Sequence, residues 1–266
     1  MTGVAQPRTA MGRVFESRFR AYRRTYRASI FSSFLLPVLF LTAMGLGLGQ
    51  YVNEGSNASL GGVPYLAFLA PGLLASTAMQ SAAFESTFPI MGGLVWSRIF
   101  HAMYATPISG RDIALGNLLW IAARLLFITT VFTIVIVLFG AAESPLVVFA
   151  IPAAVLTGMA FAAPIAAFSA TQRTVEKFNA IFRFGITPLF LFSGTFYPVD
   201  QLPAGLQAIA WLTPLYHGVS LCRALSLGTI GEDPGLAVVN LLFLLGFFIV
   251  GTFFAIRTIS ARLVRG

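Results

Sequence analysis

Long apolar blocks, separated by short polar stretches, recur along almost the whole chain. Windows of about 19 residues place six of these blocks at 29–51, 63–91, 113–139, 145–170, 178–196 and 237–256. A bilayer core about 30 Å thick requires roughly 20 predominantly apolar residues per helical span. The pattern therefore predicts an all-α polytopic membrane protein with six transmembrane helices, within a membrane domain covering 29–257.

The fifth block is the weakest, because Arg183 and Pro188 interrupt it. Two helical patterns follow at 203–212 and 215–227, split by Pro214, and each is too short to span a bilayer. Non-helical backbone at membrane depth is tolerated only where protein or water satisfies its polar groups. We therefore expect external re-entrant half-helices in 197–227, before the last span. The alternative is a packed extracellular loop with no moving part.

The segment that precedes the first span, residues 1–28, has its own pattern. One side of a helix here would carry Met11, Val14, Phe15, Phe19, Tyr22 and Tyr26, and the other side Arg13, Arg20, Arg24 and Arg27. This distribution predicts an amphipathic helix lying on the inner leaflet. Its role as a plain membrane anchor and a role in coupling both stay open. Because the segment has seven Arg and no apolar run, we expect no cleavable leader.

Composition and charge agree with this topology. The chain is 57% hydrophobic and 10% charged, whereas soluble domains have about 25% charged residues. Fifteen of the 17 basic residues fall in the predicted inner segments and only Arg223 falls in an outer one. The positive-inside rule therefore places both termini in the cytosol, with 258–266 as a cytosolic tail, in a bacterial cytoplasmic membrane. The net charge of +8 is explained by topology and anionic lipids, so we expect no nucleic-acid partner.

Two charged residues lie inside predicted spans. Glu85 is late in the second span and Arg124 is about midway through the third. Counting inward at about 1.5 Å per residue puts both in the inner half of the bilayer. An unpaired charge there costs several kcal/mol, so an ion pair is expected. The pair has two open interpretations, structural pairing and a place in the transport path or gate.

The segment between the second and third spans, 92–112, is predicted to be an ordered cytosolic loop. Val95, Ile99, Ala102 and Met103 fit a short surface helix. Thr106-Pro107 would interrupt that helix, and the Ser109-x-x-Asp112 spacing predicts a capping box at the start of the third span. An interfacial helix followed by a rigid turn offers a surface for a soluble partner; simple connection is the alternative.

Enzyme and metal signatures are missing from the sequence. Cys222 is the single cysteine, and His101 and His217 lie far apart, so no Cys–His metal site is expected. The sequence has no GxxxxGK[ST] phosphate loop, GxSxG elbow or HExxH motif. We therefore predict no catalytic residues and no metal ligands, and any ATPase that drives transport must be another chain.

Three stretches carry a resemblance that covers nearly the whole chain. They are "FLAPGLLASTAMQSAAFES" (68–86), "ATPISGRDIALGNLLW" (105–120) and "FSGTFYPVDQLPAGLQAIAWLTPLYHGVSLCRAL" (192–225). The last is the most specific, because it combines SGxxxP, LP, a Trp-containing half-helix and PLxHxxxLxR. In these stretches the chain resembles the membrane subunits of ABC-2-type export transporters. Within them it is most similar to the branch for nodulation lipo-oligosaccharides and daunorubicin-type drugs.

This resemblance implies partners and site residues. It implies two cytosolic ABC ATPase subunits, which hold ATP and Mg while this chain binds no cofactor. It also implies a second permease copy or close homologue, contact with membrane lipids and an amphiphilic cargo. The implied ATPase-coupling residues are Arg98, Tyr104, Thr106, Pro107, Ser109, Gly110, Arg111 and Asp112. The implied external gate comprises Gly194, Phe196, Tyr197, Pro198, Pro203, Trp211, Pro214, His217 and Arg223.

Three functions are therefore distinguishable. The first is the permease subunit of an ATP-driven exporter for an amphiphile. The second is an ion- or proton-coupled secondary transporter that uses Glu85 and Arg124. One intramembrane acidic residue is few for such a transporter. The third is a membrane enzyme acting on a lipid-linked sugar, which would need a nucleophile or metal cluster. Cargo movement by the isolated chain under a pH gradient favours the second, and turnover of a lipid favours the third.

Overall fold

The computed structural model describes residues 10–23, 35, 38–49 and 62–265, and every regular element in these ranges is helical. Within them, four helices are long and apolar enough to cross a membrane: Tyr65–Trp96, Gly110–Leu138, Val147–Thr171 and Pro234–Arg265. They correspond to the second, third, fourth and sixth predicted spans. The first predicted span, 29–51, lies largely outside the described residues, although its described part at 38–49 is helical.

Eleven helices are labelled here in chain order. They are α1 (Ala10–Tyr22), α2 (Leu41–Leu48, π-helical), α3 (Tyr65–Met91), α4 (Ile99–Tyr104), α5 (Gly110–Leu138), α6 (Val147–Thr171), α7 (Glu176–Ile181), α8 (Thr187–Phe192), α9 (Ala204–Trp211), α10 (Pro214–Leu227) and α11 (Pro234–Arg265). A π-helical turn at Gly92–Trp96 extends α3, and another at Phe182–Ile186 joins α7 to α8.

The centre of the bundle is α6, which packs against α3, α5, α10 and α11. Helix α3 is the most buried of the four long helices, whereas most of α11 is exposed. The exposed face of α11 is apolar, with Leu242, Ile249 and Phe253 among its outward side chains. Such a face is what a lipid-facing helix presents.

The segments predicted to be cytosolic lie at one end of the bundle, and the segments predicted to be external lie at the other end. At one end, α1 packs on α5, and the start of α5 at Gly110 lies against Ser260 of α11. At the other end, the Glu143 and Ser144 amides donate to the Ser226 carbonyl at the end of α10. We call these the inner and outer ends, following the positive-inside prediction.

The region of the predicted fifth span, 178–196, is helical only as far as Phe192. Here α7 and α8 form a run of two short helices around the π-helical turn, and the run is too short to be one of the four long helices. Pro188 lies in the first turn of α8, a position where its missing N–H costs little. At the chain end, α11 runs on to Arg265, so the described part of the predicted tail continues the last helix.

The predicted amphipathic and short helices are present. Helix α1 covers the described part of the predicted interfacial segment, and its Val14 is fully buried. Helices α9 and α10 match the two short patterns on either side of Pro214. Pro214 is the first residue of α10, where proline's fixed φ suits the helix and no donor is lost.

Candidate functional site

The structure brings Glu85 and Arg124 together in the inner half of the bundle. Arg124 Nη1 lies 2.9 Å from Glu85 Oε1, and the Glu85 side chain is only 9% exposed. The Trp120 side chain, one helical turn before Arg124 on α5, also hydrogen-bonds to Glu85. The carboxylate is therefore held by two side chains of the neighbouring helix.

A second cation, Arg18 of α1, joins this cluster. Arg18 Nε donates to Asn117 Oδ1 at 2.8 Å, and Arg18 Nη2 donates to the Pro89 carbonyl at 3.1 Å. Burial lowers the pKa of Arg18, and the nearby Glu85 carboxylate opposes that shift. We call Arg18, Glu85, Asn117, Trp120 and Arg124 the inner polar cluster. It links α1, α3 and α5.

The sequence analysis missed Arg18, yet its position gives a signal. Arg18 lies four residues after Val14 and four before Tyr22, so it occupies the apolar side of α1 rather than the side of Arg13 and Arg20. A basic residue on the apolar face of an amphipathic helix indicates a polar partner within the protein. Asn117 and Trp120 gave no comparable signal, because each fits an ordinary span.

Aromatic side chains surround the cluster on the α1 side. Phe15, Phe19 and Tyr22 all contact the Trp120 ring, with ring centroids 5.8, 6.5 and 5.4 Å away. The Arg124 guanidinium lies 5.1 Å from the centre of the Tyr22 ring. Because these rings come from one face of α1, that helix is fastened to α5 by packing as well as by Arg18.

The start of α5 has the predicted capping box. The Ser109 hydroxyl accepts from the Asp112 amide at 3.2 Å, and Asp112 Oδ2 accepts from the Ser109 amide at 3.1 Å. Before it, the Thr106 hydroxyl donates to the Met103 carbonyl, and Pro107 lies in the turn that follows α4. The loop is therefore a fixed turn at the end of a helix rather than a loose connection.

The predicted short helix of the loop is present as α4, and of the four apolar positions that predicted it, Val95 and Met103 pack against the core. Ile99 and Ala102 are exposed, whereas Phe100 is buried and lies under the Arg18 guanidinium, 5.2 Å from it. The helix starts one turn later than the pattern indicated, because the π-helical turn and Arg98 (φ 51°) redirect the chain.

The outward surface of the loop is partly apolar. Trp96, Ile99 and Tyr104 are 61%, 42% and 40% exposed, and Arg98 and Arg111 are exposed beside them. We call these five residues the inner loop surface. Their backbone is anchored to the bundle by Phe100 and by the capping box, so the surface is held in place from below.

At the outer end, the segment after α8 is fastened to α3. The Ser76 and Thr195 hydroxyls lie 2.7 Å apart, and both residues are fully buried. A Cβ added to Gly72 would lie 2.9 Å from the Thr195 carbonyl oxygen and 3.1 Å from its Cα, so the two backbones touch here. Gly194, beside this contact, has a φ of 84°, a conformation that glycine adopts without strain.

Arg223 of α10 completes the outer contact. Its Nη2 donates to the Gly194 carbonyl at 2.8 Å and its Nε donates to the Phe68 carbonyl at 3.2 Å. The guanidinium also lies 3.7 Å from the centre of the Phe68 ring. Two of the predicted gate residues, Gly194 and Arg223, are thereby brought together with α3.

His217 ties the short helices to the last span. Its Nε2 lies 2.9 Å from the Trp211 carbonyl and its Nδ1 2.7 Å from Asn240 Oδ1. The imidazole stacks on Phe243, with ring centroids 3.9 Å apart. A carbonyl only accepts hydrogen bonds, so Nε2 is protonated. His217 thus fixes the bend between α9 and α10 to α11.

The remaining predicted gate residues shape the chain between α8 and α10. The Phe196 ring packs edge-on against Phe190 at 5.0 Å. Burial raises the pKa of Tyr197. Pro198 and Pro203 stand immediately before the 3-10 turn Val199–Gln201 and before α9. Both prolines therefore start helical turns.

Across residues 10–23, 35, 38–49 and 62–265, no three His, Cys, Asp or Glu side chains gather into a group that could hold a metal ion. Cys222 is buried and unbridged. The inner polar cluster combines hydrogen bonds, an ion pair and packed rings, and the outer contact combines hydrogen bonds with the packing of Arg223 on Phe68.

Comparison with known proteins decides the family. The ABC-2 type transporter family model matches residues 8–227, a range that contains the inner polar cluster, the inner loop surface and the outer contact of Arg223. The chain belongs to the ABC-2 type transporter family. As a member, it is a membrane transport subunit, and the three stretches that carried the resemblance all lie within the match.

Curated relatives of this ABC-2 chain agree. It is 33% identical over 215 residues to nodulation protein J of Rhizobium leguminosarum bv. viciae, covering 81% of each chain. It is 33% identical over 225 residues to nodulation protein J of Sinorhizobium fredii, covering 85% of this chain and 84% of the relative. Over 243 residues it is 21% identical to the inner membrane transport permease YadH of Escherichia coli, covering 91% and 92%.

Proposed function

We propose that this ABC-2 chain is the permease subunit of an ATP-driven exporter that moves an amphiphile, a lipid-linked glycan, glycolipid or lipophilic drug, out across the bacterial cytoplasmic membrane. Two ABC ATPase subunits, which bind ATP and Mg, and a second permease copy or homologue complete the transporter. The similarity to nodulation protein J and to a transport permease supports this assignment.

The observation that carries the proposal is the inner loop surface. Exposed Trp96, Ile99 and Tyr104 lie at the end of the bundle predicted to be cytosolic, beside the exposed Arg98 and Arg111. Clustered exposed aromatic and Arg side chains are typical of protein interfaces. Because the loop is capped and anchored, force applied to it passes into α5 rather than bending the loop.

The inner polar cluster connects the loop to α1, α3 and α5, and would transmit that force to them. The loop's buried Phe100 lies under Arg18, and Arg18 reaches Asn117 and the Pro89 carbonyl. Movement of the loop is therefore expected to shift α1, α3 and α5 together. In this scheme α1 is part of the coupling path and not only an anchor.

At the outer end, the depth that α10 reaches supports a re-entrant cap. Gly218 of α10 packs against Thr157, which lies ten residues into α6 from Val147 and so about 15 Å from the outer end of α6. Since Pro214 precedes Gly218 by one helical turn, α9 and α10 dip into the bundle and return. We propose that this hairpin restricts exit, and that opening it requires the contacts of Arg223 and Thr195 to break.

The alternative of a proton-coupled transporter is less well supported. Glu85 is held by Arg124 and Trp120 and lies close to Arg18. A carboxylate already engaged in a close ion pair within the bundle suits a structural or mechanical role better than repeated exchange of a proton with solvent.

The test is reconstitution with an ABC ATPase that co-purifies with this chain. Trp96→Ala and Arg111→Ala should each lower transport-linked ATP hydrolysis by roughly tenfold, the effect of losing an interface hot spot of about 1.4 kcal/mol. Exposed Val264, at the far end of α11, provides the control Val264→Ala. Unchanged hydrolysis in both loop variants would remove the inner loop surface from the mechanism. Asp112 is unsuitable for this test because it caps α5.

A further inference from the structure

The outer end of the bundle contains a cavity of about 480 Å³ between α10, the start of α11 and the segment after α8. Its size is that of a small-molecule or headgroup site. Phe68, Trp211, Tyr216 and Arg223 contribute to its wall. The cavity therefore combines aromatic surface with one guanidinium.

The Arg223 charge is not neutralised by the surrounding protein. Two of its five N–H groups donate to the Phe68 and Gly194 carbonyls. Within the described part of the chain, no carboxylate oxygen lies within 4 Å of its guanidinium. The ion pairs found there are those of Arg20 with Glu16 and of Arg124 with Glu85. A partly enclosed guanidinium with N–H groups to spare is suited to a phosphate or carboxylate.

The rim of the same cavity is acidic. Asp200, Glu232 and Asp233 line it and are exposed. Asp233 Oδ1 accepts from the Leu236 amide at the start of α11. A ligand that carries only negative charge would meet repulsion at this rim. A ligand with an anion at one end and a cation at the other fits both parts of the cavity.

An apolar groove adjoins the cavity. It has a volume of about 490 Å³ and runs between α6, α10 and α11, with Phe149, Leu156 and Leu241 in its wall. Leu221, Ile230 and Ala237 line both the groove and the cavity. A headgroup in the cavity would thus have an apolar surface for an acyl chain next to it.

We propose that the cavity binds the headgroup of a zwitterionic phospholipid, phosphatidylethanolamine, with its phosphate on Arg223 and its ammonium on the acids of the rim. Phosphatidylglycerol supplies the phosphate but has no cation for Asp200 and Glu232. Phosphatidylcholine supplies a cation that cannot donate hydrogen bonds to carboxylates. Binding does not require ATP coupling, so failure of this proposal leaves the proposed export function standing.

The experiment is lipid retention by the full chain. The protein is exchanged into nanodiscs with equal parts phosphatidylethanolamine, phosphatidylglycerol and phosphatidylcholine, extracted mildly, and its bound lipids are counted by native mass spectrometry. Phosphatidylethanolamine should be retained about fivefold over phosphatidylglycerol, the factor that one partly exposed ion pair supplies. Equal retention of the three lipids, or preference for phosphatidylglycerol, would overturn the proposal.

Two variants locate the site. Asp200→Asn with Glu232→Gln should abolish the preference over phosphatidylglycerol while total retention stays unchanged, since neither side chain makes a bond that supports the fold in the described structure. Glu143→Gln, another exposed outer acid away from the cavity, is the matched control and should keep the preference. Arg223→Lys should lower retention of all three lipids, with helical circular dichroism confirming the fold.

Two outcomes contradict the site directly. An unchanged preference in the Asp200→Asn, Glu232→Gln variant would place the lipid elsewhere. In a Tyr216→Cys variant, a cross-link between two permease copies together with the absence of retained lipid would show that the second copy covers the cavity.

Discussion

Arg18 lies 99 residues from Asn117 in the chain and donates to it across the contact between α1 and α5. Its guanidinium also reaches Pro89 on α3 and lies over Phe100 of the loop. Four elements therefore meet at one side chain. An arginine in this position acts on the arrangement of the helices and is distinct from the solvent-exposed arginines of the same helix.

Replacing Arg18 with Ala should destabilise the protein by about 1.5–3 kcal/mol, because hydrogen bonds to a charged group are lost and Asn117 is left buried. Arg20→Ala is the matched control. Arg20 is 73% exposed and pairs only with Glu16 one turn away, so its loss should cost about 0.5 kcal/mol or less. Thermal unfolding in detergent measures both. Equal shifts in melting temperature would refute a special role for Arg18.

The sequence alone predicted the pair of Glu85 and Arg124, because charged residues inside apolar blocks are conspicuous. It did not reach Asn117 or Trp120, because partners across helices depend on how those helices pack. It placed the start of α4 about one turn too early for a different reason. The π-helical turn Gly92–Trp96 shifts the helical phase before Ile99, and a 3.6-residue pattern does not anticipate such a turn.

At the scale of elements, α3 and α10 hold the segment between them. Gly72 and Ser76 of α3 face Thr195, and Arg223 of α10 holds Gly194. Four of the five residues involved lie in the stretches "FLAPGLLAS" and "FSGTFYP", far apart in the chain. Those two stretches are therefore two halves of one contact.

Gly72→Ala should disrupt this contact, because the added Cβ would press on the backbone of Thr195, which has little freedom to move. A loss of about 1–3 kcal/mol is expected, as for overpacking in a core. Gly246→Ala is the matched control within α11. No atom lies within 4 Å of its added Cβ, and Ala should stabilise the helix by about 1 kcal/mol. Opposite shifts in melting temperature are expected, and a stabilised Gly72→Ala would contradict the contact.

The long helices were the most predictable elements. The predicted spans 113–139 and 145–170 differ from α5 and α6 by three residues or fewer at each end. Their ends are marked by the capping box and by turns. The fifth span was harder, because a helical run that includes a π-helical turn and Pro188 follows no single period. The first span remains a prediction, since most of it lies outside the described residues.

For the whole molecule, the main prediction concerns orientation. Tyr104→Cys at the inner end should react with a membrane-impermeant maleimide only in inverted vesicles. Glu143→Cys, at an exposed position in the outer turn between α5 and α6, should react in intact spheroplasts. The native Cys222 is buried and provides little background. Labelling of Tyr104→Cys from outside would reverse the topology and remove the basis for an ATPase at this end.

The contact between Gly110 and Ser260 has a practical consequence. A Cβ on Gly110 would lie 2.9 Å from the Ser260 Cα. The first residue of α5 is therefore in direct contact with the last turns of α11. Any tilt imposed on the loop by nucleotide binding would swing the carboxyl end of the chain with it. A fluorophore attached at Arg265 would then report the loop movement that the proposed coupling to an ATPase requires, while Trp96 and Arg111 stay unmodified.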